Sequence, residues 1–139
     1  MKSRRHARSA ALKALYELDT TTHLPGTVLT QRLADETLSP EGESFARQLV
    51  TGVLEHRAQL DKLIQHYAPE WPIEQMAVID RNLLRIAIYE FDIAHLTPMK
   101  VAINEAIEMA KLFGAESAPR FINGVLGSLV GPGDSVKKN

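Results

Sequence analysis

The chain has 139 residues, which suits one domain, and its apolar content of 45% and charged content of 24% are typical of a soluble globular protein. It contains no cysteine, which excludes disulfides and thiolate zinc sites. The apolar runs are short and interrupted by charge, and the basic start lacks the apolar core of a signal peptide. These features predict a cytoplasmic protein that has no membrane span.

The first helix is predicted over residues 4–19, because alanine and leucine recur there on one face. Its start is basic, since five of the 16 basic residues precede the first acid, Glu17. These five are Lys2, Arg4, Arg5, Arg8 and Lys13. The helix dipole disfavours positive charge in the opening turns, so the cluster favours phosphate binding. The alternative is a solvated chain end that happens to be basic.

Three further elements are predicted before residue 95. A short helix near 27–37 follows the turn residues Pro25 and Gly26. A single long helix begins near Pro40 and continues to Pro69, about 27 residues or roughly 40 Å. A short turn, IEQM, then leads into AVIDRNLLRIAIYEFDIA, which is apolar nearly all round and belongs inside a bundle. Its Arg85 and Glu90 are interpreted as paired structural charges.

The stretch 98–130 predicts two helices joined by a tight turn. Gly114 is predicted to end the first of them in the left-handed conformation. Gly124 lies inside the second, where glycine costs roughly 1 kcal/mol relative to alanine. We therefore expect Gly124 to permit the close approach of a neighbouring helix.

No segment alternates apolar and polar residues as a strand would, so the predicted fold class is all-α. About seven helices are expected, in two small packed helical bundles that form a single domain. The amino-terminal bundle is predicted over about 3–68 and the carboxyl-terminal bundle over about 72–130. Residues 131–139 are expected to form a flexible tail.

Three motifs carry a resemblance to a known family. They are VAINEAIEMAKLFGAE with RFINGVL, LLRIAIYE, and the opening RRHARSAALKALYE. In this order they resemble the NusB family of bacterial transcription antitermination factors. The resemblance implies the same all-α fold and binding to boxA RNA in ribosomal RNA operon leaders. It also implies a partner, the ribosomal protein NusE, and a place in the RNA polymerase antitermination complex.

The resemblance also implies which residues contact RNA. Arg4, Arg5 and Arg8 match the family's basic head and are expected to bind phosphates, helped by Lys2. Phe121 matches the aromatic residue before the family's (V/I)-N-G and is expected to stack on a base, with Arg120 on a phosphate. The alternative for Phe121 is core packing, with Ile122 as the buried residue if Phe121 faces outward.

The resemblance suggests one further RNA contact, and the sequence departs from the family pattern at three positions. Asp80 occupies a position that is acidic in some relatives and could accept a hydrogen bond from a base edge. His6 stands where many relatives have arginine, which removes a permanent charge. Ser117 and Gly127 each replace a common aspartate.

The NusE surface is expected on the carboxyl-terminal bundle. It comprises Glu74, Asp80, Lys100, Asn104 and Glu108. The alternative for the strip that includes Lys100, Asn104 and Glu108 is plain solvation. Self-association is a further open alternative, because some relatives dimerise.

Motifs of catalysis are absent from the sequence. It has no phosphate-binding glycine loop, no G-x-S-x-G and no H-E-x-x-H, so no catalytic residue, metal or cofactor is expected. The chain is interpreted as a binding protein rather than an enzyme. Two alternatives stay open: a helical accessory domain for an rRNA-modifying enzyme, such as a cytosine methyltransferase, and an adaptor that binds only protein.

Overall fold

A computed structural model describes the backbone of residues 2–130 and the side chains of residues 3–129. The predicted tail, 131–139, and the side chain of Lys2 lie outside the described parts. The described residues form seven α-helices and no strand, which confirms the all-α prediction. The helices are α1 Lys2–Thr20, α2 Pro25–Asp35, α3 Pro40–Glu55, α4 Arg57–Tyr67, α5 Val78–Ile88, α6 Met99–Phe113 and α7 Ala118–Val130. A 3₁₀ turn, Ile73–Gln75, precedes α5, and a π-helical turn, Tyr89–Ile93, follows it.

The contacts divide these helices into two compact units, one ending at Glu55 and the other beginning at His56. The first unit therefore contains α1 to α3 and the second contains α4 to α7. Helix α4 was expected in the amino-terminal bundle but makes its contacts with the second unit. None of the helices in the described part of the chain is long and apolar enough to cross a lipid bilayer.

The first unit is built around the contact of α1 with α3. Ala7, Ala11 and Leu15 are buried on α1, as the predicted apolar face requires. Small alanine side chains let the helix axes approach closely, and Phe45 and Leu49 of α3 are buried in the same unit. This packing fixes the orientation of the basic start of α1.

The second unit has α5 at its centre, in contact with α4, α6 and α7. Every residue from Asn82 to Glu90 is buried, which confirms the prediction of a helix that is covered on most sides. Arg85 is only 3% exposed and donates from Nε and Nη2 to the two carboxylate oxygens of Asp61, at 2.7 and 3.0 Å. Glu90 accepts a 2.7 Å hydrogen bond from the Thr97 hydroxyl. Both residues are thus buried and structural, as expected, and the carboxylate that pairs with Arg85 is that of Asp61.

The prediction of one long helix from Pro40 to Pro69 was wrong, because the helix is interrupted at His56. His56 adopts φ −108° and ψ 18°, outside the helical range, and α4 begins at the next residue. The amide of Leu60 bonds to the His56 carbonyl at 2.8 Å, as the first hydrogen bond of a new helix. The break separates α3 from α4 and coincides with the division into two units.

Both glycine predictions were also wrong in their physical reason. Gly114 has φ −95° and ψ 178°, which is extended rather than left-handed. Glycine is needed there because an added Cβ would lie 2.6 Å from the Ala118 Cβ and 3.0 Å from the Ala110 carbonyl oxygen. Gly124 is exposed, and an added Cβ would meet nothing within 4 Å, so it permits no close helix approach.

Gly124→Ala is expected to raise the free energy of unfolding by roughly 0.5–1 kcal/mol, because alanine restricts the unfolded chain and favours the helix. Urea unfolding followed by circular dichroism measures this change. Ser128→Ala, at another exposed position of α7, is the matched control and should give a smaller gain. A destabilised Gly124→Ala protein would contradict the open space at this position.

Candidate nucleic-acid interface

The three arginines at the start of α1 differ in their exposure to solvent. The helix begins at Lys2 and has no acidic residue in its first turn, so nothing there offsets the dipole. Arg5 is exposed and Arg4 is half-buried, whereas Arg8 is only 4% exposed. Arg5 is therefore the arginine of this cluster that faces solvent most fully.

Arg4 and Arg8 both lie over the ring of Phe45. The guanidinium carbon is 4.3 Å from the ring centroid for Arg4 and 5.3 Å for Arg8. Cations at this distance are attracted by the electron-rich ring face, more strongly where water is excluded. Phe45 therefore holds two guanidinium groups together at the start of α1, and Arg8 has a packing role. That either group contacts a phosphate stays a prediction.

Glu36, just after α2, offsets part of the positive charge of α1. Lys13 donates from Nζ to Glu36 Oε2 at 2.8 Å, and Nε2 of His6 lies 3.1 Å from Oε1. The hydrogen bond from Lys13 is the main cause that lowers the pKa of the Glu36 carboxyl below its usual value. His6, which departs from the family pattern, thus contacts the Glu36 carboxylate within the first unit.

The second candidate surface is built on Phe121, in the first turns of α7. Phe121 is partly exposed, while Ile122 beside it is fully buried. The residue that packs in the core is therefore Ile122. The Phe121 ring meets Trp71 edge to face, with centroids 6.1 Å apart and planes at 79°. Trp71 is 57% exposed, and Arg120 is exposed next to the pair.

Two surface cavities meet at this aromatic pair, and both are lined by Trp71, Arg120 and Phe121. The larger, about 370 Å³, is called the Asp80 cavity. Its remaining lining residues are Gln75, Met76, Ala77, Asp80 and Ser117. The smaller, about 250 Å³, is called the Gly124 cavity. Its remaining lining residues are Tyr67, Ala68, Pro69, Glu70, Gly124 and Val125.

Asp80 contributes an unusual group to the Asp80 cavity. Its Oδ1 atom is buried and has no hydrogen-bond partner among the described residues. Burial raises the pKa of the Asp80 carboxyl above its ordinary value of 3.8. A buried acceptor without a partner costs stability, so folding alone does not explain this carboxylate.

Asp80→Asn is expected to stabilise the protein near neutral pH. Because the pKa of Asp80 is raised on folding, the wild-type carboxylate costs stability above its folded-state pKa. Below the ordinary value of 3.8 the group is protonated in both states and the cost disappears. The difference in unfolding free energy between variant and wild type should therefore shrink as the pH is lowered from above the folded-state pKa of Asp80 to below 3.8. Urea titrations across that pH range measure it, and a pH-independent difference would contradict the burial of the charge.

The loop that carries Trp71 is fixed by Gln65 of α4. Gln65 Nε2 donates to the carbonyls of Ala68 and Trp71 at 3.0 and 2.8 Å, and Oε1 accepts from the Ile73 amide at 2.9 Å. The sequence did not identify Gln65 or Trp71 as site residues. The available signal was that Trp71 is the chain's only tryptophan and stands in a proline-flanked loop.

The residues predicted to bind NusE lie on separate elements of the second unit. Glu74 is exposed in the 3₁₀ turn, and Lys100, Asn104 and Glu108 are exposed at four-residue spacing along α6. Asp80 instead lines the Asp80 cavity beside Arg120 and Phe121. Within residues 2–130, no three histidine, aspartate or glutamate side chains are grouped so that they could hold a metal ion.

Comparisons with known proteins agree on one family. The transcription antitermination protein NusB of Roseiflexus castenholzii is 50% identical over 133 residues, which cover 94% of each chain. A solved structure of T. maritima NusB is 35% identical with a TM-score of 0.83, over 91% of this chain and 89% of that chain. The fold also matches, with a TM-score of 0.85 at 22% identity over 100% and 99% of the chains, a crystal structure of antitermination factors NusB and NusE in complex with dsRNA. Since the NusB family model matches residues 5–130 as well, this chain belongs to the NusB family.

Proposed function

We propose that this chain is a transcription antitermination factor that binds the boxA element of ribosomal RNA leader transcripts together with NusE. The observation that carries the proposal is the exposed Arg120 beside the partly exposed Phe121 at the rim of an open cavity. A cation beside an accessible aromatic ring is the combination that holds single-stranded RNA. The relatives named as antitermination proteins supply the biological context.

The proposed roles follow the exposure of each side chain. Arg5 contacts phosphate directly, and Arg4 and Arg8 add positive charge that Phe45 holds in place. Lys2 adds to the same cluster. In the second unit, Phe121 stacks on an unpaired base and Arg120 binds a phosphate. Asp80, which is half-buried and lines the Asp80 cavity, accepts a hydrogen bond from an amino group on a base edge.

The proposed NusE surface keeps the five residues Glu74, Asp80, Lys100, Asn104 and Glu108. Glu108 already accepts a 2.9 Å bond from Lys111, so it would meet a partner as part of an ion pair. With NusE the chain would join the RNA polymerase antitermination complex in the cytoplasm. It would act there as a binding protein without catalytic activity, as one domain, and as a monomer or a homodimer.

The test compares binding of boxA RNA and of a scrambled RNA of equal length, with and without NusE. We expect tighter binding to boxA and a further gain when NusE is present. Equal affinity for both RNAs in both conditions would defeat the proposal.

Arg5→Ala is expected to weaken RNA binding and to reduce the slope of log K against log salt by roughly 0.7, the value for one single-strand phosphate contact. Measuring the affinity at several salt concentrations gives this slope. Arg47→Ala is the matched control in the same unit, because Arg47 is exposed and paired with Glu43. An unchanged slope in Arg5→Ala would show that Arg5 makes no phosphate contact.

A further inference from the structure

The Trp71–Phe121 pair offers two stacking faces that no single base can use at once. The ring planes are 79° apart, so a base that lies parallel to one ring stands nearly perpendicular to the other. Both residues line both cavities. Two bases, one on each ring, would therefore use both faces.

The size of the cavities suits single ring systems. The smaller volume, about 250 Å³, lies below the range of roughly 300–1,000 Å³ that holds drug-sized ligands, and the larger, about 370 Å³, lies near its lower end. Gly124 lines the smaller cavity, and no atom lies within 4 Å of where its Cβ would be, so there is open space beside this residue. Glycine at this position therefore weakens α7 while it leaves room beside the aromatic pair.

The charges around the cavities favour bases inside and a phosphate between them. Each cavity includes a carboxylate, Glu70 in the Gly124 cavity and Asp80 in the Asp80 cavity, which would repel a phosphate but can accept from amino groups. Arg120 is the cation that both cavities share, and it is exposed. A strand that crosses the aromatic pair would thus have its linking phosphate near Arg120.

We propose that this surface binds two unpaired bases of one RNA strand, one in each cavity, and that Trp71 is a stacking residue for one of them. The proposal rests on the RNA-binding function proposed above and extends it from one base to two. Trp71 is held for this contact by the bonds between Gln65 and the loop of residues 68–73.

The experiment fills each cavity separately. Gly124→Leu places a side chain in the Gly124 cavity and Ala77→Leu places one in the Asp80 cavity, while Ser128→Leu changes an exposed α7 position that lines neither. Binding of fluorescently labelled single-stranded boxA RNA, with NusE present, is measured for each. Each filling variant should weaken binding by roughly 5- to 150-fold, the effect of losing one stacked base, and Ser128→Leu should change it less than about 2-fold.

Trp71 provides a second readout, because it is the only tryptophan of the chain. Its emission should be quenched when unlabelled RNA saturates the wild type, and Trp71→Phe should keep more affinity than Trp71→Ala. Circular dichroism shows that each variant is folded, and leucine should favour helix at position 124.

The outcomes separate this inference from the function on which it rests. If the wild type binds RNA but Gly124→Leu binds as tightly, or Trp71 emission does not change, the second base site is wrong and the proposed function stands. If the wild type does not bind RNA, both the second base site and the proposed function are wrong. Loss of affinity in both filling variants together with Trp71 quenching supports two base sites.

Discussion

Asp61→Ala is expected to lower the free energy of unfolding by about 3 kcal/mol. The change leaves the Arg85 guanidinium, only 3% exposed, without the carboxylate that it meets through two hydrogen bonds. Breaking a buried pair by removing one partner typically costs about 3–5 kcal/mol. The lower end applies here because Asp61 is 25% exposed and water can replace part of the lost interaction.

Urea unfolding followed by far-ultraviolet circular dichroism measures this loss. Glu43→Ala is the control, because it removes the carboxylate of the exposed Glu43–Arg47 pair in the first turn of α3 and should cost less than about 1 kcal/mol. Arg85→Met should cost less than Asp61→Ala, since it leaves no buried charge behind. Equal losses in Asp61→Ala and Glu43→Ala would contradict a structural role for the buried pair.

Phe121→Ala is expected to weaken binding of single-stranded boxA RNA by roughly 5- to 150-fold, the range of about 1–3 kcal/mol for one stacked base. It removes the ring that both cavities share. Phe121→Tyr keeps an aromatic face and should retain most of the affinity. Fluorescence anisotropy with a labelled RNA measures the difference.

The control for Phe121 is Phe113→Ala. Phe113 is also partly exposed in the second unit, at the end of α6, but it lines neither cavity. It should therefore change RNA affinity by less than about 2-fold, while both alanine variants lose some stability through reduced apolar burial. Equal effects of the two changes on affinity would indicate that Phe121 acts through stability rather than through stacking.

The local pattern of the sequence was sufficient to predict most of the helices. The alanine–leucine face of α1 and the continuous apolar run of α5 give correct helices because burial and periodicity agree there. The start of α2 was less accurate. Pro25 was interpreted as a turn residue, yet it begins the helix, a position where a missing amide hydrogen costs nothing.

The break at His56 shows what periodicity does not resolve. The apolar stripe of residues 45–53 resumes at Leu60, and the turn between them contains His56 and Arg57 in place of an apolar residue. No proline or glycine marks the interruption, so the local signals favoured a continuous helix. Beyond the break, α4 packs against α5 and α7 of the second unit, and such tertiary contacts are not encoded in the local periodicity.

Part of the candidate site was predicted, from a motif rather than from periodicity. Phe121 and Arg120 came from the motif RFINGVL, and the structure places them beside Asp80 in one cavity. Trp71 and Gln65 were missed because their contribution depends on how the loop of residues 68–73 lies against α7. That proximity is a tertiary contact, which no local pattern encodes.

The three hydrogen bonds from Gln65 have a consequence for the kinetics of recognition. Because the loop that bears Trp71 is already ordered in the free protein, RNA would not have to select a rare loop conformation before it binds. Association should then depend on diffusion and electrostatic steering, with a weak temperature dependence. The differences between variants should arise mainly in the dissociation rate.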